Sequence, residues 1–127
     1  LREYLQQDSQ GLISLSAEIE KPFILSSKQA THIFRIVQEA TNNALKYAKA
    51  TQISVSLVSE EGVLIINIID DGQGFNVNET PNGFGLQTMQ ERAKDLDASL
   101  AITSELSLGT KVQVKVPMEY DKMRMDK

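Results

Sequence analysis

The chain has 127 residues, enough for one domain with one hydrophobic core, and 41% of them are hydrophobic. A formal net charge of −4 excludes a global basic field that would attract nucleic acid or anionic lipid, so an anionic ligand would need local cations. The absence of cysteine excludes disulfides and thiolate zinc sites. No apolar run approaches the ~20 residues of a membrane span, and no signal peptide is visible.

The chain begins at Leu1 rather than at methionine, so we expect it to be part of a longer protein. Its composition predicts three segments. Residues 1–10 are polar and are predicted to be a linker left from an upstream helix, residues 11–118 the folded domain, and residues 119–127 a charged tail. No repeat or low-complexity segment interrupts this organisation.

Apolar and polar residues alternate in strands, whereas apolar residues recur every three or four positions in helices. On this basis the predicted elements are a strand at 11–20, a helix from Ser26 or Ser27 to about Ala48, strands at 51–59 and 63–70, a glycine-rich loop over 72–85, a helix from Leu86, and strands at 98–104 and 110–117. Because the strands have one apolar face, they favour an α+β two-layer sandwich, with a mixed, mostly antiparallel sheet of about five strands and helices on one face.

The long predicted helix carries two stripes. Its apolar stripe, typical of a core-facing surface, consists of Ala30, Ile33, Phe34, Val37, Ala40, Ala44 and Ala48. A second stripe places an acid, an amide, a cation and a phenol on one face, namely Glu39, Asn43, Lys46 and Tyr47. Taken alone, such a stripe is more often a solvated face than a ligand-binding one, because short polar patterns are common.

A buried strand ends in a carboxylate at the run Asp70-Asp71-Gly72-Gln73-Gly74-Phe75. Burying that charge requires a partner, so the run indicates a ligand, and its glycines let the backbone approach it. Asp70 is in phase with the apolar residues of its strand, and Thr110 with the valines of the last strand. Both side chains are therefore predicted to face the layer between sheet and helices. For Asp71, a turn-forming role before glycine is the better interpretation.

Four motifs in order resemble the ATP-binding catalytic domain of bacterial sensor histidine kinases, whose Bergerat (GHKL) fold is shared with DNA gyrase, Hsp90 and MutL. Gln38–Ala44 resembles the N box, Asp70–Gly74 the G1 box and Gly83–Leu86 the G2 box, and Gly109-Thr110 closes the set. The run from Gly83 to Arg92 is similar to the subgroup that pairs with nitrate-regulator-type and cell-envelope-stress response regulators. The resemblance covers about residues 23–117 and implies ATP and Mg²⁺ as ligands.

The resemblance also implies roles for the matching residues. Asp70 would accept a hydrogen bond from the adenine amino group, Thr110 would support the adenine edge, and Glu39 would be the general base. Asn43 would bind Mg²⁺ through its side-chain oxygen. The others would contact ATP or let the loop close over it: Lys46, Tyr47, Gly72, Gly74, Gly83, Gly85 and Leu86. Many relatives carry histidine where Tyr47 stands, and Arg92 is either a phosphate contact or a solvated arginine.

His32 is the only histidine, and its neighbours do not resemble the His-Asp or His-Glu of a phosphoacceptor helix, so we interpret it as structural or solvated. The predicted function is therefore transfer of the γ-phosphoryl group of ATP to a histidine on a separate dimerisation domain of the parent. A response regulator would be an indirect partner, the segment would be cytoplasmic, and it would contact neither nucleic acid nor membrane. The alternatives are a same-fold ATPase, an anti-sigma-type serine kinase and a nucleotide-binding regulator.

Overall fold

A computed structural model of the chain describes residues 13–19, 23–74 and 85–118. Its elements are β1 (Ile13–Ile19), α1 (Ser27–Lys46), β2 (Ile53–Glu60), β3 (Val63–Asp70), α2 (Leu86–Asp95), β4 (Ser99–Glu105) and β5 (Gly109–Pro117). Every helix and strand predicted from the sequence is present, and the predicted bounds that fall on described residues differ by no more than two residues from those of the structure. The predicted terminal segments 1–10 and 119–127, and most of the predicted loop, lie outside the described residues.

The five strands form one mixed sheet in the order β1-β2-β3-β5-β4. β1 pairs with β2 in parallel, and the other three neighbouring pairs are antiparallel. The registers align one residue of each strand in a row across one end of the sheet, which we call the Asp70 end: Ile13, Ile53, Asp70, Thr110 and Ser104. The two residues predicted to recognise adenine are thus direct neighbours on central strands.

The hydrophobic core lies between one face of the sheet and the two helices. The central strands contribute every second residue: Leu64, Ile66, Ile68, Val112, Val114 and Val116. The helices contribute Ile33, Ile36, Val37, Ala40, Ala44, Met89 and Ala93. The opposite face is more polar, and there Gln113 Nε2 donates a hydrogen bond of 2.9 Å to Asn67 Oδ1. The predicted α+β sandwich with helices on one face is confirmed.

The apolar stripe of α1 differs from the prediction at two positions. Ala30 is exposed, and the first buried residue of α1 is Ile33, almost two turns into the helix. Ile36, which the predicted stripe omitted, is 1% exposed. It is buried because α1 contacts both the sheet and α2, so its apolar face is wider than a single stripe.

The ends of α1 are fixed by specific hydrogen bonds. At its start, Ser26 Oγ accepts from the Gln29 N–H at 3.0 Å, while Gln29 Oε1 accepts from the Ser26 N–H at 2.9 Å, a capping box that confirms the predicted start. At its end, the Asn43 carbonyl accepts from the N–H groups of Tyr47 and Ala48. Neither α1 nor α2, the helices of the described residues, is both long and apolar enough to cross a membrane.

Candidate functional site

A narrow cleft separates α1 and α2 from the Asp70 end of the sheet. Its walls are mostly apolar, with three polar side chains, and are formed by Ala40, Asn43, Ala44, Ala48, Ile68, Asp70, Leu86, Met89, Ile102, Thr110 and Val112. Only about 10 Å³ of it is open to a water-sized sphere, roughly the room for one water molecule. An aromatic base would therefore enter only if the walls move apart.

Asp70 is the buried acid of this cleft, with 9% of its surface exposed. Its Oδ1 accepts a hydrogen bond from the Gly72 N–H at 2.8 Å. Burial is the largest influence and raises the pKa of Asp70 above its ordinary value of 3.8, against the opposing hydrogen bond from Gly72. A carboxylate whose charge is disfavoured by its surroundings gains most from an additional hydrogen-bond donor in the cleft.

Thr110 lies directly opposite Asp70 in the pairing of β3 with β5 and is 8% exposed. Its Oγ1 is 2.8 Å from Ser104 Oγ on the neighbouring strand β4. Ser104 was not predicted from the sequence, although it is the cross-strand partner of Thr110 in the β4–β5 hairpin. The position of a serine opposite Thr110 in a short predicted hairpin could have indicated this contact. Ser104 orients the hydroxyl of Thr110.

Asp71 has a different structural role from the predicted one. Its Oδ1 accepts from the N–H groups of Thr51 and Gln52 at 2.8 and 2.9 Å, and its Oδ2 accepts from Thr51 Oγ1 at 2.6 Å. The Thr51 hydroxyl is the main reason why the pKa of Asp71 lies below 3.8. Asp71 therefore fastens the start of β2 to the end of β3, whereas Asp70 makes the turn contact with the N–H two residues on. The prediction of a turn-forming Asp71 was wrong, because its partners are about twenty residues away along the chain.

Glu39 and Asn43 lie one turn apart on α1. Asn43 is 8% exposed and lines the cleft together with Asp70 and Thr110. Glu39 is half-buried, and its carboxylate packs so closely on Gly85 that a Cβ at Gly85 would collide with Glu39 Oε1. The first helix and the start of the second are therefore in contact at a residue predicted to be catalytic.

The remaining residues of the predicted stripe lie at the end of α1. Lys46 and Tyr47 are exposed, Tyr47 by 49%, and neither is among the described residues that line the cleft. Leu86, at the start of α2, does line it. The contacts of Lys46 and Tyr47 with phosphate remain predictions.

The glycines of the G1 run have a packing role in addition to the predicted one. A Cβ on Gly72 would lie 2.5 Å from Ala48 Cβ, and one on Gly74 would collide with the carbonyl of Glu105. Residues 72–74 therefore pack against Ala48, just after α1, and against the end of β4, and the Gln73 N–H donates to the Ala48 carbonyl at 2.8 Å. Gly83, also predicted for the site, lies outside the described residues.

The oxygen atoms near the cleft suit Mg²⁺ bound jointly with a phosphate ligand. Among the described residues, no three His, Cys, Asp or Glu side chains come together as metal ligands. Mg²⁺ commonly takes one or two protein oxygens and completes its octahedron with phosphate oxygens and water. The buried amide of Asn43, with the Glu39 carboxylate one turn away, fits such a site, and the assignment of Asn43 as the ligand remains a prediction.

Comparison with known proteins identifies the family. The family described as "Histidine kinase-, DNA gyrase B-, and HSP90-like ATPase" matches residues 28–120, and the chain belongs to it. The sensor protein VraS of Staphylococcus saprophyticus is 38% identical over 96 residues, which cover 75% of this chain and 28% of that protein. VraS of Staphylococcus epidermidis is 40% identical over 91 residues, 71% of this chain and 26% of that protein. The chain thus spans about a quarter of the length of these curated relatives.

Solved structures agree with this assignment. The histidine kinase domain of the blue-light activated histidine kinase EL346 from Erythrobacter litoralis has a TM-score of 0.67 at 24% identity, covering 91% of this chain and 57% of that one. The ATP-binding domain of PrrB from Mycobacterium tuberculosis has a TM-score of 0.66 at 22% identity, covering 84% and 79%. These structures share the fold. The family match over residues 28–120 shows that the chain is an ATPase domain of the histidine kinase-, DNA gyrase B- and HSP90-like type.

Gly85 offers a prediction about the contact between the helices. Its φ of 64° is left-handed, so alanine there should cost about 1–2 kcal/mol of stability from backbone strain alone. The new Cβ would also push against Glu39 and displace the start of α2, so Gly85→Ala should in addition weaken ATP binding. Gly62→Ala is the matched control, because Gly62 has a φ of 81° but open space around its Cβ position. Thermal unfolding and ATP titration compare the two variants. Equal ATP affinities of Gly85→Ala and Gly62→Ala would contradict a role of the contact between Gly85 and Glu39 in ATP binding.

Proposed function

We propose that this domain binds ATP with Mg²⁺ in the cleft of Asp70 and transfers the γ-phosphoryl group to a histidine on a dimerisation domain of its parent protein. The observation that carries the proposal is the buried Asp70 carboxylate beside Thr110, between apolar walls, at the edge of a cleft that also contains Asn43. Because the chain belongs to an ATPase family, ATP is the class of ligand that we assign to this cleft.

In this proposal, adenine binds in the part of the cleft next to Asp70 and Thr110. Asp70 accepts a hydrogen bond from the exocyclic amine of adenine, and the Thr110 hydroxyl, oriented by Ser104, contacts the same edge of the ring. The apolar side chains of the cleft cover the faces of the base. Guanine has a carbonyl where adenine has the amine, so two acceptors would face each other and the site would select ATP over GTP.

The opposite part of the cleft serves the phosphates. Asn43 would hold Mg²⁺, which when bound neutralises charge on the phosphate oxygens. Glu39 would accept the proton of the attacking imidazole at its carboxylate, and the exposed Lys46 and Tyr47 would contact phosphate oxygens. Positioning and charge neutralisation are the main tasks of a protein in phosphoryl transfer, and these side chains are suited to both.

The relatives support the wider assignment of partners and location. They are sensor proteins several times longer than this chain, which leaves room in a parent for a dimerisation domain with the phosphoacceptor histidine. The domain would act in the cytoplasm, where ATP is available, and a response regulator would receive the phosphoryl group afterwards.

Labelled Mg-ATP tests this function. Incubated alone, the domain should not label itself. Its only histidine, His32 on α1, is held by Arg92 and Asp95 of α2 and lies about two turns of helix from Glu39. When the histidine-bearing domain of the parent is added in trans, acid-labile label should appear on it and should require Asp70, Asn43 and Glu39. Acid-labile label on His32, or acid-stable label on a serine of a partner, would contradict the proposal.

A further inference from the structure

A polar cluster joins the two helices at the end of their contact that is remote from Gly85. His32 on α1 lies between two side chains of α2: its Nε2 is 2.7 Å from Asp95 Oδ2, and its Nδ1 is 3.0 Å from Nη1 of Arg92. Lys28, one turn earlier on α1, lies 3.3 Å from the other oxygen of Asp95. The imidazole is largely covered, with 18% of the side chain exposed, although Asp95 is 53% exposed.

The hydrogen-bond partners define the state of the imidazole. A guanidinium has donors but no acceptor, so Nδ1 of His32 must accept the hydrogen bond from Arg92. Nε2 then carries the hydrogen and donates it to Asp95. This hydrogen bond is the main reason why the pKa of Asp95 is below 3.8. His32 is therefore a bridge with one acceptor and one donor, each directed at a different residue of α2.

Equal lengths of α1 and α2 connect the His32 cluster with the contact between Glu39 and Gly85. His32 precedes Glu39 by seven residues on α1, and Arg92 follows Gly85 by seven residues, so α1 and α2 run antiparallel and touch at two points. These points are about 10 Å apart along either axis, at ~1.5 Å per residue. Between them, buried Met89 of α2 joins the core shared with α1, and buried Ala93 does so next to Arg92.

We propose that His32 is a positioning residue for the ATP cleft: its imidazole fixes the remote end of α2 to α1, so that α2 moves about this point when the cleft opens. The inference rests on the proposed function for the ligand of the cleft. The narrow cleft must widen to admit a base, and two of the residues that line it, Leu86 and Met89, belong to α2. With its remote end held, α2 can move at Gly85 without losing its alignment with Glu39 and Asn43.

Two substitutions at His32 separate positioning from packing. Glutamine retains one acceptor and one donor, whereas leucine retains bulk but neither polar group. We expect His32→Leu to weaken ATP binding roughly threefold to thirtyfold and His32→Gln to stay within about twofold of the natural chain. Arg92→Leu should reproduce the loss, and adding it to His32→Leu should cause little further change, because both remove the same contact.

Hydrogen exchange in the absence of nucleotide gives a second readout. The Met89 N–H bonds to the Gly85 carbonyl at 3.0 Å in the first turn of α2, and its protection should fall in His32→Leu, whereas that of the Ile66 N–H in β3 should not. Arg35→Ala is the matched control, because it removes a 2.8 Å hydrogen bond from Arg35 to Gln38 within α1 alone. It should leave Met89 protection and ATP affinity unchanged.

The outcomes are distinct. The proposal is overturned if His32→Leu and Arg92→Leu bind ATP like the natural chain with unchanged Met89 protection, or if His32→Gln loses as much affinity as His32→Leu. If the natural chain itself does not bind ATP, the proposed function fails. The loss of Met89 protection in His32→Leu but not in His32→Gln would still establish that His32 positions α2.

Discussion

Replacing Asp70 by asparagine should make the domain more stable and a poorer binder of ATP at the same time. Asparagine keeps an oxygen for the Gly72 N–H but removes a negative charge that is disfavoured by burial, so the melting temperature should rise by a few degrees. The amide group of asparagine would face the adenine amine with a donor instead of an acceptor. Losing a hydrogen bond to a charged group costs about 1.5–3 kcal/mol, so ATP affinity should fall roughly ten- to a hundredfold.

The stability difference should depend on pH in a defined direction. Burial raises the pKa of Asp70 in the folded chain above 3.8, its ordinary value. At a pH between 3.8 and the raised pKa, the folded chain therefore binds more protons than the unfolded chain. The contribution of Asp70 to stability therefore decreases as pH rises through this interval, and its penalty is fully present above the raised pKa. The stability advantage of Asp70→Asn should be largest near neutral pH, and it should disappear below 3.8.

Calorimetric unfolding and ATP titration measure both effects. Glu60→Gln is a suitable control, because it removes one negative charge from an exposed position at the end of β2, away from the cleft. It should change neither stability nor affinity appreciably. If Asp70→Asn lowered the melting temperature, or bound ATP as tightly as the natural chain, Asp70 would not be a buried carboxylate reserved for a ligand.

Glu39 and Asn43 should give different losses when they are replaced one at a time. Glu39→Gln preserves shape against Gly85, so Mg-ATP binding should stay nearly normal. Transfer of phosphate to the histidine-bearing domain should fall by about 10²–10⁴, the usual contribution of a general base. Asn43→Ala should instead remove the part of ATP affinity that depends on Mg²⁺ and leave the part due to adenine.

Binding with and without Mg²⁺, together with single-turnover transfer, distinguishes the two losses. Glu60→Gln again controls for the loss of one charge. If Glu39→Gln and Asn43→Ala both lost binding alone, with normal transfer from the ATP that remained bound, Glu39 would be a structural or metal-shell residue rather than a base.

Local sequence patterns predicted the elements and the faces of their side chains. Strict alternation along β3 and β5 placed Asp70 and Thr110 in the inner layer, because the side-chain period of a strand is two. Alternation cannot show that they are direct neighbours. That register depends on the pairing of strands separated by a loop, a helix and another strand. Ser26, in contrast, was predictable from a local capping pattern.

Contacts between distant parts of the chain explain what the sequence did not predict. Asp71 bonds to Thr51 and Gln52, and His32 bonds to Arg92 and Asp95 about sixty residues away. No local spacing relates these residues, so His32 could be recognised only as structural or solvated. The structure shows the former.

The difference between ATP and GTP in a calorimetric titration with Mg²⁺ tests the central claim most directly. If Asp70 is the acceptor for the adenine amine, the natural chain should bind ATP roughly ten- to a hundredfold more tightly than GTP. In Asp70→Asn, ATP affinity should fall to near the GTP affinity of the natural chain, because the acceptor for the adenine amine is gone. Equal affinities of the natural chain for ATP and GTP would contradict an adenine site at Asp70.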